Sequence, residues 1–350
     1  MESAAIKSAL ASKSLLLDIA CSGDRIIAVG ELGHIIYSDD NGRSWQQADV
    51  PVRVLLTSVV FPGGGRVGWA AGHTGMVLFS DDAGKTWVKQ IDGDQVNKII
   101  VDSFEAAILK QKDKLAAAPE EEKERLKAEL ENLDALLSDA TSFLDEGPSR
   151  PFFDIYFENE HQGWAVGSFG MIIETQDGGK TWTSPAPDID NPEGYHYTAM
   201  TAIAKILFIA GEKGFVSRSL DGGQSWERLE TPYEGSFFGL TGDDRDLILV
   251  GLRGNAVVSF DQGESWKLVK TEEKTTLSSA QVLGDGRFLV SRYTKTLVVS
   301  NPAGTTLTPL RWVAGKAVSS FVLAHDGSLI TVGVDGVTRV TDPDLTAGVN

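Results

Sequence analysis

One phrase, S/T-x-D-x-G-x-S/T-W, occurs five times in this 350-residue chain, and a recurrence of that kind constrains the fold more than any other feature. It reads SDDNGRSW from Ser38, SDDAGKTW from Ser80, TQDGGKTW from Thr175, SLDGGQSW from Ser219 and SFDQGESW from Ser259. The chemistry is that of a hairpin turn. Asp40, Asp82, Asp177, Asp221 and Asp261 can accept hydrogen bonds from turn amides, and the glycine two residues on supplies a backbone angle that other residues resist. The hydroxyls add local bonds, while Trp45, Trp87, Trp182, Trp226 and Trp266 pin each turn between neighbouring sheets. These aspartates read as structural, because a calcium loop needs more oxygens than the phrase offers.

Each phrase follows a second signature, G-x-x-G and an alternating apolar strand, beginning at Gly30, Gly72, Gly167, Gly211 and Gly251. Degenerate copies stand at SRYTKTLVVS from Ser291 and VGVDGVTRVT from Val332. Successive copies are 40 to 44 residues apart, except for one step of 95 between Gly72 and Gly167. A period of that size suits four short strands with their turns, the blade of a β-propeller. The expected fold is therefore all-β, a seven-bladed β-propeller with Asp-box hairpins. In the first blade, strands are expected near Leu15–Cys21, Arg25–Val29, His34–Ser38 and Ser44–Val50, where apolar and polar positions alternate. The last copy has no room for a fourth strand after Val340, so Ala4 to Leu10 are expected to supply it and close the ring without an open edge.

Between blades two and three the glycine-rich texture stops. Leu126, Leu130, Leu133, Leu137 and Leu144 recur at three- and four-residue steps, as do Ile100, Phe104, Ile108 and Leu115. Ala118-Pro119-Glu120 interrupts the two stripes, and Glu120, Glu121 and Glu122 suit the positive end of a second helix. An inserted α-helical hairpin over Val96 to Leu144 follows, dividing the chain into 1–95 (blades one and two), 96–145 (hairpin) and 146–350 (blades three to seven). Two short helices bury little surface alone and need a third, either a partner or the propeller rim. Partner contact through the hairpin would use Phe104, Ile108, Leu115, Leu126, Leu130, Leu133 and Leu137.

A formal net charge of −17 disfavours general attraction to nucleic acid or anionic lipid. No run of eighteen apolar residues suggests a spanning helix, and the N-terminus lacks the basic-then-apolar order of an export signal. Cys21, the single cysteine, cannot form an internal disulfide.

The fuller phrases GWAAGHTGMVLFSDDAGKTW (Gly68 to Trp87) and GWAVGSFGMIIETQDGGKTW (Gly163 to Trp182) resemble the photosystem II stability and assembly factor family of Asp-box propellers. That resemblance implies a chaperone-like, non-catalytic scaffold working outside the cytoplasm. Similar bacterial proteins without photosynthesis accompany membrane exporters of the resistance-nodulation-division type. The implied location is the periplasm, and the implied partner is an integral membrane transporter or its assembly complex.

The residues inside each G-x-x-G join second and third strands, so they should share the propeller mouth opposite the Asp-box turns. Glu31, His73, Phe169, Glu212, Lys213, Arg253, Arg292, Tyr293 and Asp335 are the expected partner-binding set, with Leu252 beside them. Aromatic and arginine anchors in this mixture suit a protein interface. The alternative is a glycan-binding or sialidase-like propeller. Such hydrolases need three arginines, a tyrosine with a glutamate, and an aspartic acid; Arg53, Arg253, Arg292 and Tyr293 complete no such set by spacing. Glu31 and Asp335, neighbours across the ring closure, are the one pair suited to acid and base. His73 has no second histidine or cysteine at metal spacing. No catalytic, cofactor or metal residue is expected.

Overall fold

The computed structural model describes residues 3–341 and Leu345, with the exception of Arg245, Lys295 and 311–316. Among these residues the strands form seven sheets, numbered one to seven in chain order. Their first strands are Leu16–Ser22, Leu56–Val60, Phe152–Phe157, Tyr197–Ile203, Phe237–Gly242, Leu277–Val282 and Val318–Leu323. Each of these packs on the first strand of the next sheet, and the last packs on the first, so the inner strands close a cycle. The result is an all-β, propeller-like fold carrying two helices.

Sheet one runs Leu16–Ser22, Arg25–Gly30, Ile35–Ser38 and Gln46–Gln47, antiparallel throughout. Its second strand is buried from Ile26 to Gly30, since it lies between neighbours within its sheet and is covered on both faces by adjoining sheets. The same continuous burial marks the second strand of every sheet, which is why these segments read as apolar runs. Gly30 has a steric role: a Cβ there would lie 2.1 Å from the Leu15 carbonyl oxygen. Only glycine allows the first strand to cross so closely.

The Asp-box turn closes third strand to fourth. In sheet one, Asp40 Oδ1 accepts from Ser44 N (2.8 Å) and Asp40 Oδ2 from Ser44 Oγ (2.6 Å), while Ser38 Oγ accepts from Gly42 N (2.8 Å). Asp82, Asp177, Asp221 and Asp261 repeat this arrangement. The Nε1 atoms of Trp45, Trp87 and Trp226 donate to the box glycine carbonyl. Hydrogen bonds from Ser44 hold the Asp40 carboxyl down at about 2, and bonds from Thr181 and Ser225 do the same for Asp177 and Asp221. In sheet six Asn301 takes the aspartate's part, accepting from Thr305 N (2.8 Å) and Thr306 N (3.0 Å).

The box also staples neighbouring sheets. A carbonyl at its tip accepts from a long side chain of the preceding sheet: Ala83 O from Arg25, Gly178 O from Gln90, Gln262 O from Arg218. The cycle is closed by the same device, with Arg339 Nε donating to Asn41 O (2.7 Å) and Arg43 paired with Asp326 (2.8 Å). Ala4 to Leu10 do not do this. Among the described residues they form no strand and pair with no strand of the last sheet; Ala5 N donates to Val50 O (3.0 Å) and Lys7 Nζ to Gln47 O (2.7 Å), placing the segment against sheet one. Staples from Arg339 and Arg43, together with packing of Leu16–Ser22 on Val318–Leu323, make the closure that the missing strand was expected to make.

Helix α1 (Gly93–Ala117) and helix α2 (Glu120–Glu146) form the inserted antiparallel hairpin. Asp92 and Gln95 make a capping box at the start of α1, and Asn97 Nδ2 donates to the Phe143 and Gly147 carbonyls that end α2. The apolar stripe is spent internally. Val96, Ile100, Val101, Phe104 and Ala140 share one buried cluster with Trp69, Phe152, Ile155 and Met171 of sheets two and three. Ile108 and Leu126 are buried, and Leu115, Leu130, Leu133 and Leu137 are partly covered. The propeller rim is thus the third surface the helices needed, and Phe104, Ile108 and Leu126 are not available to a partner. Replacing 96–144 by a short glycine-serine loop should strip this cluster and lower the melting temperature by about 10 °C or more. An unchanged melt would show that the hairpin adds nothing to the sheets.

Candidate functional site: the mouth of the ring

In each sheet with the G-x-x-G signature, the turn from second to third strand is one short 3-10 step containing a residue with left-handed backbone. Leu32 (φ 57°), Thr74 (59°), Phe169 (53°), Lys213 (49°) and Arg253 (58°) occupy that position. Glycine adopts such angles freely, whereas a side chain there costs roughly 1–2 kcal/mol. Side chains are nevertheless held there, and they point outward.

These turns lie at the same end of every sheet as the start of its first strand, as the pairings Leu16 with Gly30, Phe152 with Gly167 and Val318 with Gly333 show. Together they form the mouth. Leu32 is 53% exposed, Phe169 51%, Tyr293 58% and Val334 44%, with Leu252 at 37%. Five apolar tips from five sheets on one face are more than the scattered single exposures of an ordinary surface. Exposed His73, Lys213, Arg253 and Asp335 stand among them.

Several expected mouth residues are structural instead. Arg292 is 1% exposed and occupies the place that glycine holds in the other sheets; its Nη1 donates to Glu273 Oε2 (2.9 Å), so it is withdrawn from the mouth. Glu31 Oε1 accepts from Leu15 N (3.0 Å), and Glu212 Oε2 from His196 N (3.1 Å). Both carboxylates satisfy the amide just before a first strand, a latching role that sequence spacing did not reveal. Glu31 is thereby held to the backbone at the start of the first strand. Phe169 is braced by its neighbours, with its ring 5.1 Å from Phe143 and 4.6 Å from His196. Its amide donates to His196 Nδ1 (2.9 Å).

Below the mouth runs a narrow axial channel of about 160 Å³. Its wall repeats one position of each first strand: Asp18, Ser58, Asp154, Ala199, Gly239, Ser279 and Ser320. Asp18 Oδ2 accepts from Val59 N (2.9 Å) of sheet two, and Asp154 Oδ2 from Met200 N (2.8 Å) of sheet four. Ser58 Oγ lies between them, 2.8 Å from Asp154 and 3.3 Å from Asp18. Thr57 and Thr198 donate to Phe152 O and Phe237 O of the next sheets. The ring is therefore stitched from inside by residues that the repeat pattern alone does not single out.

Burial raises the Asp18 carboxyl, and it pushes Asp154 up to about 7 against the hydrogen bonds from Met200 and Ser58. Since folding raises this value, the folded state holds an extra proton between about pH 4 and 7. The contribution of Asp154 to stability is expected to be full below about pH 4, to fall as pH rises through that window, and to be lost above it. Asp154→Asn should flatten the slope in melts recorded across the window. A slope as steep in the variant would place its origin elsewhere. Among the described residues, no group of three or more histidine, cysteine or acidic side chains is arranged to hold a metal ion.

Comparison with known proteins fits this architecture. The Asp-box repeat model matches residues 36–47. A curated relative, the photosystem II assembly lipoprotein Ycf48 of Synechococcus sp. (strain CC9902), is 37% identical over 76 residues, 22% of this chain and 23% of its own length. The match thus spans about a quarter of that relative. Among solved structures, YCF48 bound to D1 peptide aligns with 94% of each chain at a TM-score of 0.60 and 15% identity. The WD40 β-propeller domain of Doa1 aligns over 98% of this chain and 97% of its own at 0.64 and 9%. Both show the fold. The model of the photosynthesis system II assembly factor YCF48 family matches residues 145–342, more than half of the sequence, and the chain belongs to that family.

Proposed function

We propose that this chain is a non-catalytic scaffold, a seven-bladed propeller whose mouth docks on a protein component of a membrane transport or assembly complex. The seven sheets are its blades and the five box phrases its Asp-box turns. The observation that carries the reading is the ring of exposed Leu32, Phe169, Leu252, Tyr293 and Val334 held at strained or tightly fixed turns around the channel. Rigid apolar anchors lower the ordering cost of binding. One structural neighbour, YCF48, is bound to D1 peptide, which supports a polypeptide as the occupant. The lipoprotein relative supports action at a membrane surface outside the cytoplasm, and the periplasm is the compartment proposed for this chain. No helix among the described residues is long and apolar enough to cross a membrane.

The test is recovery of a defined membrane complex. Immobilised chain should retain a specific membrane protein from solubilised membranes, and a screen of fluorogenic glycosides should give no turnover. Turnover abolished by Asp335→Ala would overturn the reading in favour of a glycan-cleaving propeller.

A further inference from the structure

Arg150 precedes the first strand of sheet three and is 5% exposed. Its Nη2 donates to Asn97 Oδ1 of α1 (2.7 Å), and its guanidinium lies over the Phe143 ring of α2 at 4.3 Å. Nε has no hydrogen-bond partner. Among the described residues no acidic side chain forms an ion pair with it; Glu146 acts on it only at longer range. A buried cation is ordinarily paired, because the cost of desolvating it is several kcal/mol. Burial lowers this arginine to about 10, so it stays charged at neutral pH.

Arg150 lines a cavity of about 120 Å³ between the hairpin and sheet three, beside half-exposed Phe169. The remaining wall is largely apolar, with Ile100, Phe104, Phe143 and Met171. Asp139 and Glu193 stand at its rim, both exposed to water, with Glu193 facing Arg228 at 3.5 Å. Their charges are screened, whereas that of Arg150 is not. A guanidinium without a counter-charge, lining a small and largely apolar chamber, is complementary to one chemical class: a carboxylate on an apolar stem.

We propose that this cavity binds a monocarboxylate with a short apolar tail, its carboxylate facing the Arg150 guanidinium and its tail lying against Phe104, Phe143 and Met171. Two sources carry that chemistry, a free aliphatic acid and the C-terminus of a chain ending in an apolar residue. The site adjoins the ring of mouth anchors through Phe169, which lines its wall, but its chemistry rests on Arg150 and not on the docking role.

The experiment uses the full chain, with hexanoate and hexanamide as probes. Hexanoate should bind one to one and shift a single arginine Nε–H resonance, absent in Arg150→Lys. Hexanamide should bind about tenfold or more weakly, since it lacks the charge. Ala186→Leu, which fills the cavity wall while leaving Arg150 in place, should also weaken hexanoate. A short peptide ending in free leucine, compared with its amidated form, distinguishes the sources: displacement of hexanoate by the free-acid peptide alone indicates a chain terminus, and failure of both peptides indicates a small acid. Equal binding of hexanoate and hexanamide, or no saturable shift of the Arg150 resonance, would overturn the proposal.

Discussion

Trp69→Ala is expected to destabilise the protein by about 3–5 kcal/mol, at the upper end of what the loss of one side chain costs a folded domain. Trp69 is fully buried on the second strand of sheet two and stacks on Phe157 of sheet three, with ring centroids 3.6 Å apart and planes 7° from parallel. Its Nε1 donates to Gln90 Oε1 (3.1 Å), and Gln90 in turn donates to Gly178 O in the Asp-box of sheet three. The same cluster receives Val96, Ile100 and Phe104 from α1. Truncation therefore removes a sheet-to-sheet contact, unpairs a staple and undermines the hairpin together. Chemical denaturation of the variant beside Trp45→Ala, whose ring is only partly buried, gives the comparison. Losses of equal size would mean that the junction of sheets two and three has no special weight.

A triple substitution at the mouth, Leu252→Ser with Tyr293→Ser and Val334→Ser, should weaken partner binding by about a hundredfold or more while leaving the melting temperature nearly unchanged. All three side chains face solvent, so their removal sacrifices little packing. Anchors at the centre of an interface carry most of its energy, which is why three positions should suffice. Leu109→Ser with Leu220→Ser, equally exposed on the hairpin and on the Asp-box side, is the control expected to bind normally. Loss of binding in the control alone would move the interface off the mouth.

The repeat made the strand pattern legible because each box combines a turn acceptor, a positive-φ glycine and a tryptophan within eight residues, a combination that only one local geometry satisfies. The hairpin was legible for a similar reason, its stripe recurring at helical spacing on either side of Pro119. What local pattern could not show was where elements meet. Arg292 looks like a mouth residue by its place in the repeat, yet it sits at the position of the close-approach glycine and is buried with Glu273. Ala4 to Leu10 have the apolar character of a strand, but Val50 and Gln47 of sheet one take their hydrogen bonds. The channel wall left a faint signal, a small or acidic residue third in each first strand, as in Leu16-Leu17-Asp18 and Phe152-Phe153-Asp154. Its meaning emerges only once the seven strands stand side by side.

The docking face is tested most directly by a photo-activated crosslinker placed at Tyr293 in the mouth and, separately, at Leu220 on the Asp-box face. Irradiation with solubilised membranes should give one discrete adduct from position 293 and none from 220. An adduct from 220 with none from 293 would contradict the account.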